Sequence, residues 1–407
     1  MGNIKERYSA ICSELQLRTN PYILQVLEGT EGQTKEILIK VTGNNRLLPV
    51  QKLTDEDALA LCKTIFNNVS VKAIDLRYNG ISDEGAKHLA DLLQEDVSVR
   101  SLNLMCNDIK TDGAKLLGKC LQLNKTLKTL RMTGNKIGNG GAMHLASMLQ
   151  TNSSLEELDI SDCDLDTQSL IAFAIVLSSN RSICAINLSR PLLFSHQEET
   201  TWHLARMLTV NQHLQELHLG KHAMTDWGVE RLCQALRENV TLRYLDLRCN
   251  RIARDGARHL AELLKLNTTL EILDLSSNRI EDEGAAHLSQ AIALQKSTLR
   301  ALSIPSNSIG SAGLVLLAKA MGINSSLSHI YIWGNNLEEP ACVAFADLIK
   351  SGRLREEDTD VSPYEVDGRV FLAEVFHGLR RHYYWTPSFG QDGDPASNSA
   401  LALNASS

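Results

Sequence analysis

The chain has 407 residues, of which 43% are hydrophobic, enough for a substantial core. A formal net charge of -7 and an isoelectric point near 6.0 give no general attraction to polyanions, so direct nucleic-acid binding is not expected. The longest apolar run, Leu170 to Leu177, is too short to span a bilayer, and Met1 to Ala10 is charged and lacks a signal-peptide core. No membrane insertion is expected, and the setting expected is soluble and intracellular: cytoplasm, nucleus or both, with nucleolus or cilium compatible.

Residues 1–70 read as an N-terminal cap region. Ile4, Tyr8, Ile11 and Leu15 at helical spacing predict a helix from Lys5 to Leu17, followed by a degenerate strand from Ile37 to Val41 and a helix from Thr54 to Phe66.

From Val71 to about Lys350 one unit recurs every 28 residues, as L-x-x-L-x-L-x-x-N-x-I, then glycine, then L-x-x-x-L, so residues 71–350 hold about ten repeats. The units begin at Val71, Val99, Leu127, Leu155, Ile183, Leu214, Leu242, Leu270, Leu299 and Leu327. The ninth column reads Asn79, Asn107, Asn135, Cys163, Pro191, His222, Asn250, Asn278, Asn307 and Asn335. L-x-L has period two and predicts a short strand with one buried face. The asparagine that follows carries both donors and an acceptor for the backbone groups a buried turn leaves open. The glycine and Leu-x-x-x-Leu then predict one face of a helix. Strands pair about 4.8 Å apart and helices pack roughly 8 to 10 Å apart, so each layer is a wedge and the array bends with its sheet inside.

These units resemble the ribonuclease-inhibitor-like class of leucine-rich repeat proteins. The resemblance implies an α/β horseshoe solenoid, with a parallel sheet on the concave face and helices on the convex face. It also implies an intracellular setting and, for most members, protein binding as the activity.

Function is expected where the repeat rule is silent. The third, fifth, seventh and eighth positions of each unit point away from the core and are expected to face solvent on the concave side. The fifth column reads Asp75, Asn103, Arg131, Asp159, Asn187, His218, Asp246, Asp274, Ser303 and Tyr331, and the seventh contains Arg77, Met105, Arg248 and Trp333. An acidic patch gathers Glu157, Asp159 and Asp162, with Asp164 and Asp166 on the turn that follows. An aromatic patch gathers His329, Tyr331 and Trp333, with Tyr244 farther along the same surface. The acidic patch reads equally as a solvated face, and the aromatic one as a partner site or the seat of a C-terminal cap. The candidate partner-binding residues are Asp75, Arg77, Arg131, Glu157, Asp159, Asp162, His218, Tyr244, Asp246, Arg248, Asp274, His329, Tyr331 and Trp333.

Between Cys163, Pro191 and His222 the asparagine column lapses, and the Ile183 unit is longer, with extra length in Arg190 to Thr201. A break in curvature or a protruding loop is expected there, with neutral drift as the plain alternative.

Other motifs are absorbed by the repeat. Gly113 to Cys120 is one residue short of a phosphate-binding loop, but Leu117 is a core helix position, so a helix is expected and no nucleotide. The sequons at Asn124, Asn152, Asn239, Asn267 and Asn324 all fall at the helix-to-strand return. His88, His144, His259 and His287 share a helix column, too widely spaced to converge on one metal ion. The nine cysteines contain no C-x-x-C pair and read as reduced thiols. No catalytic residues, cofactor or metal are expected.

Residues 351–387 read as a linker, acidic over Glu356 to Asp360, and a C-terminal capping helix around Val370 to Arg380 that ends in Tyr383, Tyr384 and Trp385. Residues 388–407 read as a disordered tail. The chain is thus expected to be a non-enzymatic scaffold or regulator that binds protein. The alternatives are a GTPase-activating protein of the Ran-activator type, a ribonuclease inhibitor, or a structural component of a large assembly such as a cilium or nuclear body.

Overall fold

The computed structural model describes residues 3–375, apart from 31, 33–35, 46–47, 96–97, 194–197, 268 and 295–296. The chain divides into two compact units at Leu192/Leu193, within the irregular stretch noted above.

The first unit opens with α1 (Ile4–Glu14), α2 (Pro21–Glu28), β1 (Ile37–Lys40) and α3 (Asp55–Ile65). It continues as β2 (Val71–Asp75), α4 (Asp83–Glu95), β3 (Ser101–Asn103), α5 (Thr111–Leu123), β4 (Thr129–Arg131), α6 (Gly138–Leu149), β5 (Glu157–Asp159), α7 (Thr167–Leu177) and β6 (Ala185–Asn187). Its strands pair in parallel and in sequence order, with Ser101 beside Thr129 and Thr129 beside Glu157. α2 escaped the sequence reading, although Asn20-Pro21 is a helix-start signal: the Asn20 side chain accepts from the N–H groups of Tyr22 and Ile23, and Pro21 holds the first helical position. α1 also stops at Glu14, short of the expected Leu17.

The second unit runs α8 (Glu199–Val210), β7 (Glu216–His218), α9 (Asp226–Leu236), β8 (Tyr244–Asp246), α10 (Arg254–Leu266), β9 (Ile272–Asp274), α11 (Glu281–Ile292), β10 (Ala301–Ser303), α12 (Ser311–Ile323), β11 (His329–Tyr331) and α13 (Glu339–Lys350). A 3-10 turn at Glu356–Asp358 leads to β12 (Val361–Val366) and β13 (Arg369–Glu374). β7 to β11 pair in parallel, whereas β12 and β13 form a separate antiparallel hairpin packed against α13. Each unit is thus an α/β leucine-rich repeat solenoid, strands on one side and helices on the other.

The ninth column works as expected. Asn107 donates through Nδ2 to Leu104 of its own repeat and Leu76 of the preceding one, both at 3.0 Å, and accepts from the Ile81 N–H at 3.2 Å. A second asparagine ladder stands at the helix-to-strand return: Asn152 donates to the Leu121 carbonyl at 2.6 Å and accepts from the Leu155 N–H at 2.8 Å. The sequon asparagines are therefore buried structural groups.

The glycine column records a close approach rather than a turn. Asp83, at the start of α4, accepts from the N–H groups of Lys110 (2.7 Å) and Gly113 (2.9 Å), so α4 caps the N-terminus of α5. A Cβ at Gly113 would stand 2.6 Å from that carboxylate oxygen. Asp55, Asp226 and Asp282 repeat the device toward α4, α10 and α12. Gly113 to Cys120 lies inside α5, as the register requires.

The C-terminal reading is corrected. Val370 belongs to β13, not to a helix, because Asp367 and Gly368 both take positive φ (52° and 74°) and turn the chain back as a tight hairpin. Asp-Gly is the sequence signal for that turn. The stretch expected to be an acidic linker is instead built into the fold, with Asp358, Thr359 and Asp360 all buried. Phe376, Tyr383, Tyr384, Trp385 and the tail from Ser388 lie outside the described residues.

Candidate functional site

The strand surface differs from expectation in its fifth column. Asp75, Arg131, Asp159, His218, Asp246, Asp274 and Tyr331 are all buried, as are Arg77 and Tyr244. One physical reason is local: carboxylates and amides in this column turn back along their own strand to cap the N–H two residues on. Asp75 accepts from Arg77 at 3.2 Å, Asn103 from Met105 at 3.1 Å, Asp159 from Ser161 at 3.0 Å, Asp246 from Arg248 at 3.0 Å and Asp274 from Ser276 at 2.9 Å. The other is lateral, since each column lies within about 4.8 Å of its copy on the next strand. The eighth position has left the strand altogether, with positive φ at Tyr78, Cys106, Gly134, Asp162, Arg190, Lys221, Cys249, Ser277, Ser306 and Gly334.

A buried polar cluster spans β7 to β9. His218 Nδ1 lies 3.2 Å from Asp246 Oδ2, and its Nε2 lies 3.5 Å from Glu216 Oε2. Arg248 donates to the same Asp246 Oδ2 through Nε at 2.8 Å and Nη2 at 2.6 Å. Burial by itself would lower the His218 pKa, but the two carboxylates outweigh it and push it up to about 9. Burial acts on Asp246 in the opposite sense to its cations, and Arg248 and His218 hold it well below the usual carboxylate range. Asp274, one strand on, is raised by burial and then by the charge of Asp246.

At the last strand the C-terminal segment supplies what a further repeat would have supplied. The N–H of Ile304 donates to Tyr331 of the next strand. Its counterpart Ile332 has no following strand of the sheet among the described residues, and donates instead to Asp360 Oδ1 at 2.8 Å, while Trp333 N–H donates to Asp360 Oδ2 at 3.0 Å. Arg353 Nη2 reaches the carbonyls of Asn324 and Leu327 (2.7 Å to the latter), taking the place of the next repeat's asparagine amide. Burial pushes Asp360 up to about 6, against the pull of those backbone donors.

Comparison with known proteins decides the family. The Leucine Rich repeat family model matches residues 67–90, 97–118, 123–146, 151–174, 210–233, 238–261, 266–289 and 295–318. Leucine-rich repeat-containing protein 34 of Rattus norvegicus is 59% identical, over 99% of this chain and 98% of its own length. The chain belongs to the leucine-rich repeat-containing protein 34 family. The human protein of that family is 58% identical, over 99% of this chain and 88% of its own, and the Mus musculus protein 54%, over 99% and 98%.

In this member of the family the expected acidic patch is not one surface. Glu157 is half-buried and accepts from Thr129 Oγ1 at 3.3 Å, and burial raises its pKa against the nearby Arg131. Asp159 is spent on Ser161, Asp162 pairs with Arg190 at 3.3 Å, and Asp166 caps α7. The aromatic patch separates too. Tyr331 is buried, His329 Nε2 lies 3.1 Å from Asp358, and Trp333, in the turn after β11, is partly exposed. Sequence reasoning missed Arg353 and Asp360, which hold the sheet edge; no repeat position marks them. Among the described residues no helix is long and apolar enough to cross a membrane.

Proposed function

We propose that this chain is a non-enzymatic intracellular protein-binding scaffold or regulator, acting in the cytoplasm, the nucleus or both, with its partner contacts on the strand surface of the second unit. The observation that supports this reading is Trp333. It keeps partial exposure in the turn after the last strand, where Asp360 of the C-terminal segment accepts its backbone N–H while the hairpin packs on α13. A partly exposed aromatic is the residue type enriched at binding hot spots. Arg248, with 20% of its side chain exposed and its fork fixed by Asp246, offers an oriented cation on the same unit.

The test is proximity labelling in cells, comparing the wild-type chain with Trp333→Ala and Arg248→Ala at matched expression. Loss of a defined protein set from both variants supports the reading, with the melting curve of Trp333→Ala unchanged and that of Arg248→Ala lowered by the loss of Asp246's partner but still cooperative. Identical labelled sets from all three chains would overturn it.

A further inference from the structure

A second surface of the second unit carries chemistry that the strand face does not explain. A groove of about 540 Å³ crosses the entries of four consecutive strands, β8 to β11. Two columns line it. Immediately before the first repeat position stand Thr241, Thr269, Thr298 and Ser326, and at the second position stand Arg243, Glu271 and Arg300.

The hydroxyl hydrogens are already used. Thr241 and Thr269 donate to the preceding ladder asparagines (3.4 and 3.2 Å), Thr298 to the Leu270 carbonyl (3.2 Å) and Ser326 to the Ser297 carbonyl (2.6 Å). What each oxygen retains is acceptor capacity. The charged column supplies donors. Glu271 Oε1 binds Arg243 Nε at 2.7 Å, but its Oε2 stands 3.6 Å from Arg300 Nη1, beyond hydrogen-bond length, and the Arg300 side chain is 52% exposed. A row of acceptors therefore runs beside an under-used guanidinium. The groove spans three strand spacings, about 14 Å, which four or five residues of extended chain would cover.

We propose that this groove binds a short extended peptide whose backbone N–H groups face the hydroxyl column and whose single anionic side chain, carboxylate or phosphate, is taken by Arg300. Glu271 in the middle of the charged column opposes a polyanion, and none of the lining residues is aromatic, so a nucleic-acid strand finds neither continuous positive charge nor a stacking surface. The proposal rests on reading the chain as a protein-binding scaffold, but on a surface separate from Trp333.

The experiment uses the full chain against arrays of random pentapeptides with the central residue fixed as Glu, phosphoserine, Ser or Lys, together with a single-stranded RNA oligonucleotide. The Glu or phosphoserine pool should bind at least about tenfold better than the Ser pool, the ratio of the two anionic pools identifying the source of the charge. Arg300→Glu should abolish that preference without changing the melting curve. Absence of any charge preference, equal preference in Arg300→Glu, or tighter binding of the RNA would overturn the proposal. A cellular protein set that depends on Trp333 while the arrays show no preference would reject the groove and leave the strand-face reading standing.

Discussion

Asp360 Oδ2 accepts the backbone N–H of Trp333 at 3.0 Å, tying a residue outside the repeats to the open edge of the last strand. With the companion bond to Ile332, one buried carboxylate satisfies two donors that the repeat pattern itself leaves without a neighbour. An exposed edge would otherwise template pairing with another chain.

Asp360→Ala should therefore destabilise the chain by about 1–3 kcal/mol for each orphaned N–H and promote self-association. Thermal melts and size-exclusion chromatography at several concentrations check this. A monomeric variant with the wild-type melting temperature would show that the edge needs no such closure. Deleting residues 388–407 leaves Asp360 in place and should change neither measurement.

Leu247→Asp puts an unpaired charge into the core and should unfold the second unit. Asp246→Ala would be silent if the fifth column faced solvent. The structure requires the reverse, since the substitution leaves His218 and Arg248 without their shared carboxylate. A loss of about 3–5 kcal/mol is expected for breaking such a buried pair, with Asp246→Asn intermediate. Melts of the three variants decide between the two faces.

His218 has a folded pKa of about 9, above its unfolded value near 6.5. Proton binding to the folded state thus contributes stability that is complete below about pH 6.5 and is lost as the pH rises through 9. The melting temperature should fall between pH 7 and pH 10, and His218→Gln should flatten that part of the profile. Parallel profiles for the two chains would show that the imidazole is not held charged between Asp246 and Glu216.

Asp83→Ala removes a helix cap that comes from the neighbouring layer, freeing the N–H groups of Lys110 and Gly113. The cost should be about 1 kcal/mol. Faster amide hydrogen exchange should be confined to the first turn of α5, as an inter-repeat cap requires. Unchanged exchange at Gly113 would remove the explanation offered for the glycine column.

Periodicity determined most of this architecture. A side chain that recurs every 28 residues meets its own copy on the next layer, so the core columns, the Asn107-type ladder and the helical state of Gly113 to Cys120 were legible without coordinates. Composition also told the strand's core side from its other side. It did not tell that the other side is shielded, because whether Asp246 reaches water depends on how its side chain folds back and on what lies across the next strand. Tertiary structure alone decided the residues that act once. Arg353 and Asp360 occupy no repeat column, and their roles exist only because the last strand lacks the neighbour that every other strand of its unit possesses. The hairpin replaced the expected capping helix for a related reason. Val370 to Val375 is short and apolar enough for either state, and the positive φ angles at Asp367 and Gly368 fix the choice before packing begins. The entry groove belongs to the same class of fact, since its hydroxyl and charged columns are visible in the sequence, whereas the space between them appears only when four strand entries are set side by side.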